Sequence, residues 1–331
     1  MHVINSSFSP PIYLRSPHTQ TIIPALLRGR KQTPAVTNLL ELNDGDFLET
    51  RLHKPENWNA SQNPLVIISH GLEGSMESSY ILGLVKTLFD SGIASITWNM
   101  RGCGTTPNRL KTWYHSGYSS DLRIIVNTAR NLFPNTKLIL IGISIGGNIT
   151  VKYLGEEAKQ ATQNGIVGAA IISAPLDLKG SALTLALPSR RIYMQYLLRS
   201  LKKRIYQKYA QFTQDISIES LEQIRSFYDF DSLYTAPLHG FASVEEYWHV
   251  SSGIHFLPKI TIPTLLLTAQ DDPFLSPSCI PDQDSLQSPH ILLETPKYGG
   301  HVGFIDSINL KRTWLDNRML AFVSEIYSPP F

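Results

Sequence analysis

At 331 residues, 42% hydrophobic and 17% charged, the chain holds enough apolar material for one large α/β domain or two ordinary ones, and a disordered chain is excluded. A formal net charge of +2 gives no ground for a nucleic-acid partner. The two cysteines, Cys103 and Cys279, form no CxxC pair, which excludes a zinc ribbon or a disulfide framework and suits a reducing compartment.

Residues 1–35 are rich in Pro, Ser and Thr around one apolar piece, IIPALL (22–27). They read as an ordered arm packed on the main body. The charged-then-apolar pattern of a signal peptide is missing from them. No stretch of the chain approaches the roughly 20 apolar residues that span a bilayer, so a cytoplasmic protein is expected. Residues 36–53 predict two strands joined at Asn43-Asp44-Gly45, a hairpin signal.

From residue 64 strands and helices alternate. PLVIISHG (64–71) predicts a buried strand, SSYILGLVKTLFDSG (78–92) a helix closed by a glycine, and IASITWN (93–99) the next strand. A helix over 119–133, a strand over 137–142, a helix over 146–161 and a strand over 166–173 follow. PTLLLTA (263–269) and HILLETP (290–296) predict two late strands, and 313–327 a closing helix. Such alternation means a mostly parallel sheet with helices on both faces. The core is therefore 36–179 and 258–331, interrupted by a helical insert at 180–257.

Inside the insert, residues 190–208 carry seven Lys or Arg and no acid, and Met194, Leu197, Leu198, Leu201 and Ile205 follow helical spacing. Two readings stand for this helix. Its basic face is either simply solvated or a weak contact surface for anionic lipid headgroups.

Gly142-Ile143-Ser144-Ile145-Gly146 matches G-x-S-x-G between a predicted strand and a predicted helix. In that setting the serine sits on a strained turn, flanked by glycines because a Cβ would clash where backbone segments crowd. A serine alcohol needs a base at neutral pH, and the chain order that goes with this turn is Ser, then Asp or Glu, then His. Gln270-Asp271-Asp272-Pro273 follows one late strand and Gly299-Gly300-His301 the other, both at strand ends where ligands bind in open α/β sheets. His301 is the expected base. The acid is Asp271 or Asp272; the pre-proline position favours an extended Asp272 projecting away from its neighbour, with Asp271 as a turn carboxylate.

An oxyanion needs two backbone donors. Ile145, after the serine, supplies one, and Leu72 in the turn Ser69-His70-Gly71-Leu72-Glu73-Gly74 is the candidate for the other. His70 precedes that turn and is expected to brace it. Arg101, in NMRGCG (99–104), is expected to tie carboxylates or carbonyls. No base is placed for Cys103. The ten histidines show no metal-ligand spacing and no phosphate-binding glycine loop occurs at a strand–helix junction, so neither a metal nor a cofactor is expected.

Several stretches together resemble one family, the YheT-type α/β-hydrolases, which includes eukaryotic α/β-hydrolase-domain lipases and yeast medium-chain ester synthase/esterases. They are SPHTQTIIPALLR (16–28), HGLEGS (70–75), WNMRGCG (98–104), YHSGYSSDL (114–122), GISIGGN (142–148), DFDSLYTAPLHGF (229–241), QDDPFLSP (270–277) and GGHVGF (299–304). The resemblance implies the α/β-hydrolase fold, the insert 180–257 as a cap over the pocket, and Ser144, Asp272 and His301 as a catalytic triad acting on carboxylic or lipid-like acyl esters. The paired aspartates belong to the motif, so the choice between them stays open. Two rivals share these residues: alcohol acyl transfer through the same acyl-enzyme, and a binding protein that keeps the fold. The second would carry a broken triad, and this one is whole in sequence.

Overall fold

The computed structural model describes residues 1–282, 286 and 288–327; the end of the expected core segment, 328–331, lies outside them. Strand β1 (His2–Ile4) and helix α1 (Pro17–Leu27) open the chain. The hairpin β2 (Val36–Glu41) and β3 (Phe47–His53) pairs antiparallel, Glu41 opposite Phe47, with Gly45 at φ +85° in the turn. Then come β4 (Leu65–Ser69), α2 (Ser79–Asp90), β5 (Ala94–Trp98), α3 (Ser119–Leu132), β6 (Leu138–Ile143), α4 (Ile145–Glu157), α5 (Lys159–Gln163) and β7 (Ile166–Ile172). One helix was expected over 146–161; Ala158, at φ +47°, splits it in two.

After β7 the chain leaves the sheet. It forms α6 (Leu178–Ala186), α7 (Arg191–Tyr209), α8 (Phe227–Phe230), a π-helical turn (Asp231–Thr235), α9 (Ala236–Leu238) and α10 (Val244–Ser251). It returns as β8 (Thr264–Leu267) and β9 (Ile291–Glu294) and closes with α11 (Trp314–Tyr327). Among the described residues no helix is long and apolar enough to cross a membrane.

The nine strands lie in the order β1-β9-β8-β7-β6-β4-β5-β3-β2, parallel from β1 through β5. Side chains alternate across the sheet, and β6 shows the consequence. Leu138 and Leu140 join the core under α3 and α4, while Ile139, Ile141 and Ile143 join the core under α2 and α11. Both faces are covered, which is why these strands are apolar throughout. The chain reverses direction across the sheet at β4, which pairs with β5 on one side and β6 on the other. The carboxyl ends of β4 and β6 thus meet at a topological switch point.

Candidate active site

Ser144 stands where β6 ends and α4 begins, at φ 54°, ψ −123°. That backbone conformation is sparsely populated for a residue with a side chain, and it persists where surrounding structure over-determines it. Here the Ser144 N–H donates to Ile172 O at 2.8 Å. A Cβ on Gly142 would stand 2.6 Å from Gly146 O and from Gly147 Cα, and one on Gly146 would run into His70 O. The turn closes tightly only because both positions are glycine.

Three of the expected site residues form one hydrogen-bonded line. Ser144 Oγ lies 3.0 Å from His301 Nε2. His301 Nδ1 lies 2.9 Å from Asp272 Oδ2 and 3.2 Å from Oδ1. With Nδ1 carrying the proton toward the carboxylate, Nε2 is left to accept from the serine hydroxyl. Asp272 is buried, and its Oδ1 also accepts the Phe274 N–H at 2.9 Å. Asp271 faces elsewhere: its Oδ1 accepts from Gly300 N–H at 2.9 Å, at the turn that carries His301.

Leu72 and Ile145 both border the cavity beside Ser144. In the Leu72 turn the neighbouring N–H groups are taken, Gly71 by Tyr80 Oη and Glu73 by Tyr114 Oη, each at 2.8 Å. The N–H groups of Leu72 and Ile145 donate to no acceptor among the described residues. His70 sits under this turn, Nδ1 donating to Gly71 O at 2.8 Å and Nε2 accepting from Met100 N–H at 3.1 Å. Burial pushes its imidazole down to about 4, so it stays neutral and braces the loop. Arg101 binds Asp121 through Nε and Nη2 and Asp44 through Nη1. Burial lifts the Cys103 thiol to about 12, so it is not a thiolate at neutral pH.

Other contributors lie within stretches that carry the family resemblance, but the sequence alone assigns them no role. Phe274 stacks on the His301 ring, centroids 4.1 Å apart and planes 9° from parallel. Thr21 of α1 accepts the His301 N–H on Oγ1 at 2.9 Å. The neighbouring Gln20 is fully buried, donating to Ile305 O and accepting from Ile305 N–H, both at 2.8 Å. Asp231, in the motif DFDSLYTAPLHGF, lines the cavity with its carboxyl held by Thr235 Oγ1 at 2.6 Å and Trp248 Nε1 at 2.8 Å. Burial raises it to about 6.

The basic helix differs from expectation. Arg204 and Lys208 are buried, Arg204 against Glu73 and Lys208 donating Nζ to Asn108 O at 2.7 Å. They sit at helical spacing from Leu197 and Leu201, on the inner side of α7. Only part of the cationic set meets solvent.

The cavity in front of Ser144 and His301 measures about 830 Å³. Leu72, Leu185, Tyr193, Leu197 and Phe230 supply much of its apolar wall.

A serine on a strand–turn–helix corner, a histidine and a carboxylate from successive later strand ends, and a mostly parallel sheet define the class. Residues 64–308 match the family described as alpha/beta hydrolase fold, and the chain belongs to that family. Within it, the chain is 34% identical to the protein named "Putative esterase YheT" of Escherichia coli, over 95% of this chain and 92% of that one. It is 31% identical to the monoacylglycerol lipase of Saccharomyces cerevisiae, over 78% of this chain and 59% of that one. It is 23% identical to the human phospholipase ABHD3, over 97% and 79%. A solved Pyrococcus furiosus esterase superposes with a TM-score of 0.59 at 14% identity, over 90% of this chain and 92% of that one, a likeness of fold alone.

Proposed function

We propose that the protein is a serine carboxylic-ester hydrolase acting through an acyl-enzyme. The observation that carries this is the line Asp272–His301–Ser144, with separations of 2.9 and 3.0 Å, beside a large, mainly apolar cavity. His301 Nε2 takes the proton as Ser144 Oγ attacks the ester carbonyl, and Asp272 holds the ring and stabilises the imidazolium. The Leu72 and Ile145 N–H groups receive the oxyanion. His301 then protonates the leaving alcohol, and water releases the acid. The apolar wall favours an acyl chain over a polar acid, and α6–α10 serve as the cap. The names of the relatives, an esterase, a lipase and a phospholipase, support an ester as substrate.

Ser144→Ala assayed on p-nitrophenyl esters of increasing chain length tests this. Loss of kcat by roughly 10⁴–10⁶ is expected, and unchanged turnover would overturn the assignment. A relative 27% identical is named a medium-chain fatty acid ethyl ester synthase/esterase. Product analysis with added ethanol therefore belongs to the same experiment, because ethyl ester formed at the expense of acid would make the protein an acyltransferase.

A further inference from the structure

Two segments that frame the cavity mouth share one charge pattern. The first acid in the chain is Glu41, so residues 1–40 hold four Lys or Arg and no Asp or Glu. Residues 178–214 hold eight Lys or Arg and again no acid. All 27 acids lie in the rest of the chain, with the remaining 17 cations. The division runs along the sequence; in space Arg28 is buried against Asp316 and Arg204 against Glu73, while Arg30, Arg199 and Lys203 stay exposed.

These segments meet in space. Ile22, Leu26 and Arg30 border the cavity from the α1 side, and Ile192 and Tyr196 from α7. His18 Nδ1 joins Tyr193 Oη between the two helices at 2.8 Å. Of these bordering side chains Leu26 is 75% exposed, Ile192 77% and Tyr196 71%, and Leu27, next to Leu26 on α1 but outside the cavity lining, is 70% exposed. On α7, positions 192, 196, 199 and 203 recur at helical spacing and form one stripe, along which Arg199 and Lys203 are also exposed. Clustered exposed hydrophobics rimmed by charge mark an interaction surface. A second copy of the chain is a poor occupant, since a two-fold interface would set these cations against themselves.

We propose that this rim docks on an anionic lipid bilayer. Leu26, Leu27 and Ile192 enter the boundary between headgroups and acyl chains, and Arg30, Arg199 and Lys203 meet the lipid phosphates. The cavity mouth then opens onto the bilayer, and an acyl chain reaches Ser144 without crossing water. Docking itself does not depend on the ester-hydrolase reading.

The test is co-sedimentation of the full chain, carrying Ser144→Ala so that no lipid is consumed, with vesicles of phosphatidylcholine alone or mixed with phosphatidylglycerol. Binding is expected on the mixed vesicles only, and is expected to fall as salt screens it. Arg199→Gln with Lys203→Gln should weaken partitioning roughly 30-fold. Leu27→Ser should weaken it too, while its counterpart with Ser144 intact hydrolyses a soluble short-chain ester as before. Equal binding to both vesicles, binding to neither, or a dimer in solution that Leu27→Ser dissolves would overturn the proposal. Because binding is read by sedimentation on an inactive serine variant, a failure of docking is distinguishable from a failure of the hydrolase assignment.

Discussion

Arg204 Nε donates to Glu73 Oε1 at 3.0 Å, tying helix α7 to the residue beside Leu72. The pair is nearly closed to solvent, with 8% and 10% of the two side chains exposed. Glu73 holds φ +52°, its N–H donates to Tyr114 Oη at 2.8 Å, and Tyr114 Oη donates back to Glu73 Oε1 at 3.0 Å. Arg204 Nη1 also donates to Gly102 O. The insert therefore clamps the turn that presents the Leu72 N–H.

Removing one member of such a buried pair leaves an uncompensated charge, at a cost of about 3–5 kcal/mol. Arg204→Met is expected to lose that much in urea unfolding and, under the proposed mechanism, to lower kcat more than it raises KM, because the Leu72 N–H shifts from the place proposed for it beside the oxyanion. Arg204→Lys should restore part of both. A kcat unaffected by Arg204→Met would show that Tyr114 sets the loop alone.

The two adjacent aspartates separate cleanly by substitution. Asp272→Asn keeps the shape but favours the wrong histidine tautomer, and a loss of roughly 10⁴ in kcat is expected, as in serine proteases. Asp271→Asn keeps an oxygen for the Gly300 N–H and should cost at most about tenfold, since a net neutral hydrogen bond contributes about 1 kcal/mol. Equal losses in the two variants would mean that Asp271 acts on more than the turn.

The parallel strand–helix alternation, the Ser144 turn and the placement of His301 were legible because each rests on local signals: apolar runs, helical spacing and glycines where backbone crowds. The pre-proline rule pointed at Asp272 for the same reason. What escaped was carried by contacts across long stretches of chain. Strand β1 is three residues long and exists through pairing with β9, so nothing near residue 2 announces it. Phe274 is an ordinary loop aromatic until the His301 ring lies on it. On α7, helical spacing alone places Arg204 and Lys208 with Leu197 and Leu201; their charge argued for the solvent side, and only partners from the 73 and 108 loops explain the inward turn.

The N-terminal helix is expected to matter for turnover although it contributes no reacting group. Thr21 Oγ1 donates to Pro17 O at 2.7 Å and accepts the His301 N–H at 2.9 Å. Thr21→Val is nearly isosteric and leaves that N–H without its acceptor, a loss of about 1–3 kcal/mol. Denaturant unfolding should register it, and kcat should fall about tenfold as the imidazole loosens. Unchanged kcat with lowered stability would confine Thr21 to the fold.

Stability should fall on mild acidification. Burial holds the imidazoles of His53, His70 and His239 down to about 4, whereas in the unfolded chain each titrates near 6.5. Their contribution is complete above about 6.5 and is lost as pH falls toward 4, because over that window the unfolded state binds protons that the native state refuses. Each such proton contributes about 1.4 kcal/mol per pH unit. His239 offers the sharpest test, since its Nε2 is buried with no hydrogen-bond partner among the described residues and its ring packs edge-on against Trp113 and His115. His239→Phe preserves the aromatic packing and removes the titration. Urea unfolding from neutral pH to about 4.5 should then show the slope reduced by about one proton, with stability at acid pH raised relative to the parent chain. A slope identical in the two proteins would mean that His239 takes its proton in the folded state as readily as in the unfolded one.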